Sequence, residues 1–102
     1  MAIQNTALTA TSASLLPSAN ARAVTVVYFC NTHSGAVNVT VYAVPSGSVA
    51  GTATKIYDAV SIAAGDTLVV DTEKVLLDNG DLLQADASVD NVVIATCSYT
   101  EI

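Results

Sequence analysis

The sequence predicts an all-β protein: a single antiparallel β-sandwich, of jelly-roll or immunoglobulin-like type, with about eight short strands. Three observations carry this. Val, Ala, Thr and Ser dominate, while Trp is absent and Phe29 is the single phenylalanine. Val and Thr are stiff at χ1 and fit a pleated surface better than a helix. Apolar and polar residues alternate in short runs, separated by turn residues at about 8–12-residue intervals. Finally, a turn unit recurs: Ala64-Gly65-Asp66-Thr67-Leu68-Val69-Val70-Asp71 is answered by Asn79-Gly80-Asp81-Leu82-Leu83-Gln84-Ala85-Asp86. Both read x-G-D-x-L-x-x-D, a Gly-Asp turn feeding a short apolar strand. Gly tolerates positive φ, and the Asp carboxylate accepts nearby backbone N–H groups.

The elements follow in order along 102 residues, a length that makes one domain spanning 1–102. Residues 1–20 are Thr, Ser and Ala with isolated aliphatics at Ile3, Leu8, Leu15 and Leu16, and read as an edge strand or a docking arm. Pro17-Ser18-Ala19-Asn20 closes that segment with turn chemistry. In 22–31, Val24, Val26, Tyr28 and Cys30 face one way, and Thr25, Val27, Phe29 and Asn31 the other. Both faces are largely apolar, so this strand is covered on both sides or meets another subunit. Thr32-His33-Ser34-Gly35 reads as a hairpin link.

Residues 36–44 alternate clearly, with Val37, Val39, Val41 and Ala43 inward and Asn38, Thr40 and Tyr42 opposite. The small residues of 45–51 read as a mobile loop tip. Strands are expected at 52–58 and 67–70, and 60–63 lead into the first Gly-Asp turn. Thr72 to Leu77 reads as a further strand rather than a helical turn. Asp78-Asn79-Gly80 turns the chain into a strand over 81–87, and 92–101 closes the domain, Val93, Ala95, Cys97 and Tyr99 on one face.

Charge is scarce and lopsided. The basic residues are Arg22, Lys55 and Lys74, and all nine acids lie at or after Asp58, so 1–57 carry +2 and 58–102 carry −8. A net charge of −6 without a basic stripe opposes a nucleic-acid backbone. No apolar run approaches the roughly 20 residues of a membrane helix, and the N-terminus lacks the signal-peptide pattern. A protein made in a cytoplasm is expected, with neither nucleic acid nor membrane as partner. Cys30 and Cys97 read as free buried thiols, with a cross-sheet disulfide as the alternative.

Chemistry is sparse. His33 is the single histidine, on a turn, with no nucleophile and orienting group at a catalytic spacing. His and Cys are too few for zinc, and no Gly-rich phosphate loop occurs. Asp66, Asp71, Asp81 and Asp86 are weak calcium candidates, because calcium favours carboxylates on loops, but the D-x-D-x-D-G pattern is absent. A glycosidase would need a cleft with stacking aromatics. The expectation is a non-enzymatic protein without cofactor that works by contact, a calcium- or glycan-binding β-module being the alternative.

Val26-Val27-Tyr28-Phe29-Cys30-Asn31-Thr32, then Val39-Thr40-Val41-Tyr42-Ala43-Val44-Pro45, then Ile62-Ala63-Ala64-Gly65-Asp66-Thr67 through Asp71-Thr72-Glu73-Lys74 to Asn79-Gly80-Asp81 resembles small virion proteins of tailed bacteriophages. The resemblance runs from about residue 20 to the C-terminus and carries no catalytic residue. It implies a structural role in the virion, foremost as a capsid decoration (cement) protein, otherwise as a neck, tail or fibre-associated subunit. The implied partners are the major capsid protein or other virion proteins and further copies of the chain, for example in a trimer. Val27 and Phe29 on the two-faced strand, and Ile3 and Leu8 on the arm, are the candidate partner-contact residues.

Overall fold

The computed structural model describes residues 2–16, 21–70 and 75–101. The chain is all-β, and its described residues form nine strands: β1 (Ala2–Ala7), β2 (Ala13–Ser14), β3 (Arg22–Asn31), β4 (Val37–Val44), β5 (Lys55–Ile62), β6 (Thr67–Val70), β7 (Val75–Leu77), β8 (Leu82–Ala87) and β9 (Val93–Glu101). One 3-10 turn, Thr52–Thr54, occupies the start of the stretch expected to be a strand, and β5 begins after it.

Two antiparallel sheets face each other. Sheet A runs β1-β9-β3-β6, with β7 also on β3, and sheet B runs β2-β8-β4-β5. Consecutive strands cross repeatedly between the sheets: β1 in A, β2 in B, β3 in A, β4 in B, β5 in B, β6 in A. Setting aside the short β7, this is the strand order of a jelly roll, which settles the choice against an immunoglobulin-like sandwich. The link at 32–36 is therefore a crossover between sheets and not the hairpin expected from its turn residues.

The core lies between the sheets. Sheet A contributes Val24, Val27, Phe29, Leu77, Val93, Ala95 and Cys97, and sheet B contributes Val37, Val39, Val41, Ile62, Leu83, Ala85 and Ala87. The isolated aliphatics of the N-terminal segment complete it: Leu8 is 0% exposed, Leu15 1% and Leu16 2%. Residues 2–16 thus belong to both sheets, and the edge-strand reading holds over the docking arm. The turn signal at 17–20 lies outside the described residues, as do residues 71–74, the end of the first repeat unit and the start of the strand expected over 72–77.

The twin Gly-Asp turns fold alike. Asp66 N–H donates to the Ala63 carbonyl and Asp81 N–H to the Asp78 carbonyl, each at 3.0 Å. Gly65 and Gly80 hold φ of 72° and 88° at the third position, the type II pattern.

Candidate contact surface

β3 decides which residues reach the surface. A β-bulge interrupts its pairing with β9 between Val24 and Val26. The extra residue, Thr25, reverses the parity of the strand. Arg22 and Val24 point inward before the bulge, and Val27, Phe29 and Asn31 point inward after it. Val26, Tyr28 and Cys30 are left on the outer side.

Pairing extends that outer side across sheet A. Val26 lies opposite Ser98, which lies opposite Ile3. Tyr28 lies between Thr96 and Val69, with Asn5 beyond Thr96. Cys30 lies between Ile94 and Thr67, and Ala23 between Thr100 and Leu76. Not one of these residues is charged. Six large hydrophobics are exposed among the described residues, and four of them sit on this face: Ile3 (68%), Tyr28 (42%), Val69 (44%) and Leu76 (72%).

The outer face of sheet B is different in kind. It carries Asn38, Thr40, Tyr42, Gln84 and Asp86, with Lys55 opposite Tyr42. The Tyr42 hydroxyl donates to Asp86 Oδ2 at 2.6 Å, and this bond to an anion, reinforced by burial, pushes its pKa up to about 12. Lys55 pairs with Asp58 at 3.0 Å. Among the described strand residues, the sandwich therefore has one face that carries charge and one that carries none.

Of the expected contact residues, Ile3 stands exposed on the charge-free face. Leu8, Val27 and Phe29 are corrected: at 0%, 4% and 1% exposure they are core residues with no surface to offer a partner. Val27 and Phe29 point inward because the parity change at Thr25 places Val24 on their side. Leu8 plugs the core where the chain leaves β1. The surface-forming residues that sequence reasoning left out are Tyr28, Val69 and Leu76, whose alternation within their strands was the available signal.

The aspartates serve turns and strands separately. Asp66 Oδ1 accepts the Thr67 N–H at 3.1 Å. Asp81 accepts Ser46 N–H at 2.9 Å and Asp78 N–H at 3.0 Å, and these donors, helped by the Arg22 charge, hold its carboxyl below the usual carboxylate range. Asp86 binds Tyr42, and Asp71 lies outside the described residues. Asp66 leads into sheet A, whereas Asp81 and Asp86 border sheet B, so the described members of the two pairs do not converge. No group of three His, Cys, Asp or Glu side chains gathers among the described residues.

A residue that sequence reasoning passed over organises one end of the sandwich. Asn31 is fully buried, and its Nδ2 reaches the carbonyls of Gly35 (3.0 Å), Ile62 (2.9 Å) and Ala63 (3.2 Å). Its Oδ1 accepts the His33 N–H at 2.9 Å. One side chain thus ties the β3–β4 crossover to the β5–β6 turn. Arg22 is equally buried at 1%, its guanidinium donating to the Asp81 carbonyl at 2.9 Å.

Enclosed space is small. The gap between the sheets at Val24, Val27, Phe29, Val41 and Leu83 has room for about 20 Å³, little more than one water. A shallow apolar depression of about 320 Å³ lies at Ile56, Tyr57, Val70 and Val75. Neither brings His33 or a cysteine toward a carboxylate. Cys97 faces the core, and burial pushes its thiol up to about 11. Cys30 is half-buried on the outer face, so the two thiols lie on opposite sides of sheet A and are unpaired. No described helix is long and apolar enough to cross a membrane. Comparison with family models, curated proteins and solved structures finds no match for the chain.

Proposed function

We propose that the chain is a non-enzymatic virion structural protein of a tailed bacteriophage, foremost a capsid decoration protein, made in the host cytoplasm and attached through the outer face of sheet A. One observation carries the docking part: the concentration of exposed Ile3, Tyr28, Val69 and Leu76 on a face whose described strand residues include no charged side chain, in a chain of net charge −6. Apolar patches of this kind mark interaction sites, because solvent-facing sheets ordinarily carry charge. The virion part rests on the resemblance of the strand and turn motifs, joined to a jelly roll, an architecture that viral capsid domains use.

In this reading the partner is the major capsid protein or another virion protein. Attachment is mainly apolar, while the acidic residues face solvent or a basic patch. Moderate salt then weakens binding only slightly, since screening acts on exposed charges. Mass spectrometry of purified particles with copy counting tests the assignment. Hundreds of copies place the chain on the head, a handful move it to the neck or tail, and none refutes the virion reading.

The alternative is a ligand-binding β-module. The observation that favours it is the carboxylate-bearing outer face of sheet B, around Tyr42 and Asp86. A ligand bound only to the native state raises the melting temperature. A shift with millimolar calcium or with an oligosaccharide panel supports this reading, and no shift removes it.

A further inference from the structure

The four sheet edges are not equally protected. β2 is only two residues long. β5 is broken by two register shifts against β4, carries the Lys55–Asp58 ion pair, and holds Ala59 at a φ of 50°. The third edge is divided between β6, four residues, and β7, three residues. Shortness, bulges and charge are the devices by which proteins prevent edge-to-edge pairing. β1 has none of them. It is six residues, Ala-Ile-Gln-Asn-Thr-Ala, in unbroken register with β9, with neither proline nor charge.

The direction of its free backbone groups follows from the ladder. Leu8 N–H donates to the Val93 carbonyl at 2.9 Å, and the Leu8 carbonyl accepts from Asn91 N–H at 2.8 Å, so Leu8 faces β9. Alternation in an antiparallel pair turns Thr6, Gln4 and Ala2 the same way, and leaves Ile3, Asn5 and Ala7 with N–H and C=O pointing outward. No partner for those outward groups lies among the described residues.

We propose that β1 pairs antiparallel with β1 of a second copy of this chain, about a two-fold axis through Asn5. The outward residues are symmetric about Asn5, so Ile3 meets Ala7 of the second copy, Asn5 meets its own image, and about six main-chain hydrogen bonds close. On the outer face the two Asn5 carboxamides lie side by side, each able to donate and accept. Each Asn5 Oδ1 already accepts the Thr96 hydroxyl at 2.9 Å, which ties the carboxamide to β9. Charge leaves this edge open to a second copy: although each chain carries −6, β1 and its partners on β9, Ile94 to Tyr99, bring no charged side chain to the seam, so the copies meet there without opposing carboxylates. The pair joins two sheets A into one continuous sheet and doubles the docking face. The inference stands on β1 alone and survives if the chain proves absent from virions.

The test is cross-linking of Asn5→Cys in a Cys30→Ser background. Cα atoms of a hydrogen-bonded antiparallel pair lie about 5.5 Å apart, inside the roughly 4.4–6.8 Å a disulfide spans. The control is Val49→Cys, on a loop residue 81% exposed, which reports random collision. Mild oxidation at micromolar protein should link Asn5→Cys on the order of 100-fold faster than Val49→Cys, the advantage of a preformed pair. Light scattering of the wild type should give twice the monomer mass. Asn5→Pro should return it to monomer at an almost unchanged melting temperature, because the N–H it removes faces away from β9. Ile3→Lys should do the same by edge repulsion, and covers the case in which the proline variant does not fold. A monomeric or trimeric wild type, cross-linking no faster than at Val49→Cys, or a dimer untouched by both edge variants overturns the proposal.

Discussion

Replacing Asn31 with Ala removes the clasp between the β3–β4 crossover and the β5–β6 turn. The magnitude follows from its bonds. Its amide offers two hydrogens to three carbonyls at 2.9–3.2 Å, and its oxygen takes the His33 N–H, so about three hydrogen-bond equivalents disappear. At roughly 1 kcal/mol each the loss is about 3 kcal/mol, with the buried Ile62 carbonyl, left without that donor, adding to it. Urea unfolding monitored by circular dichroism is the assay. With a slope of about 1–1.5 kcal/mol/M for a domain of this size, the midpoint should fall by about 2–3 M. Asn31→Asp provides a second reading of the same site. Its carboxylate faces three carbonyl oxygens, which raises its folded pKa above the unfolded value. That variant is therefore less destabilised at acid pH and loses stability as pH rises through the folded pKa. A cost below about 1 kcal/mol for Asn31→Ala, or an Asn31→Asp variant insensitive to pH, would refute the clasp.

Three further outcomes follow from the geometry. Tyr42 ionises late, near 12, so ultraviolet titration should show a tyrosine step that Tyr42→Phe abolishes. Because its folded pKa is raised, the stabilisation is present below about pH 10 and lost as pH rises toward 12, and Tyr42→Phe should cost about 1–2 kcal/mol at pH 7. Gly80→Ala should cost more than Gly65→Ala: both impose a strain of about 1–2 kcal/mol at positive φ, but at Gly80 a Cβ also falls 2.6 Å from Ser46 Oγ. Ser46→Gly should recover the difference in thermal melts, and equal costs for the two glycines would contradict the close approach. Cys97, buried with its thiol pushed up to about 11, should resist a thiol reagent at pH 8 until the protein unfolds, and reductant should leave the melting temperature unchanged.

Strands were legible because period-two alternation and turn residues are local signals. The limits of β3, β4, β6, β8 and β9 fall within about one residue of where the pattern placed them. The surplus of apolar residues on β3 was legible too: Val27 and Phe29 fill the core, while Val26 and Tyr28 lie on the outer face of sheet A. Which side of β3 faces out was not legible, because one inserted residue, Thr25, inverts the alternation and leaves no trace in the composition. Thr32-His33-Ser34-Gly35 carries hairpin residues, yet the next strand joins the other sheet, a choice made by Asn31 bonding to carbonyls some thirty residues away. Leu8, Leu15 and Leu16 looked light among Thr, Ser and Ala, but burial counts position rather than density. For the same reason, deleting residues 2–12 would remove a core plug and an entire strand. The edge and face substitutions are therefore the cleaner probes of docking.

The central claim is that this chain acts by contact through the outer face of sheet A. Imaging of the assembled particle at side-chain resolution tests it most directly. The account predicts Ile3, Tyr28, Val69 and Leu76 covered by a virion protein, with Asp86 and the Lys55–Asp58 pair on the opposite face turned to solvent or a basic patch. A particle in which the sheet A face stands open while the sheet B face makes the contact, or a particle without this chain, would contradict it.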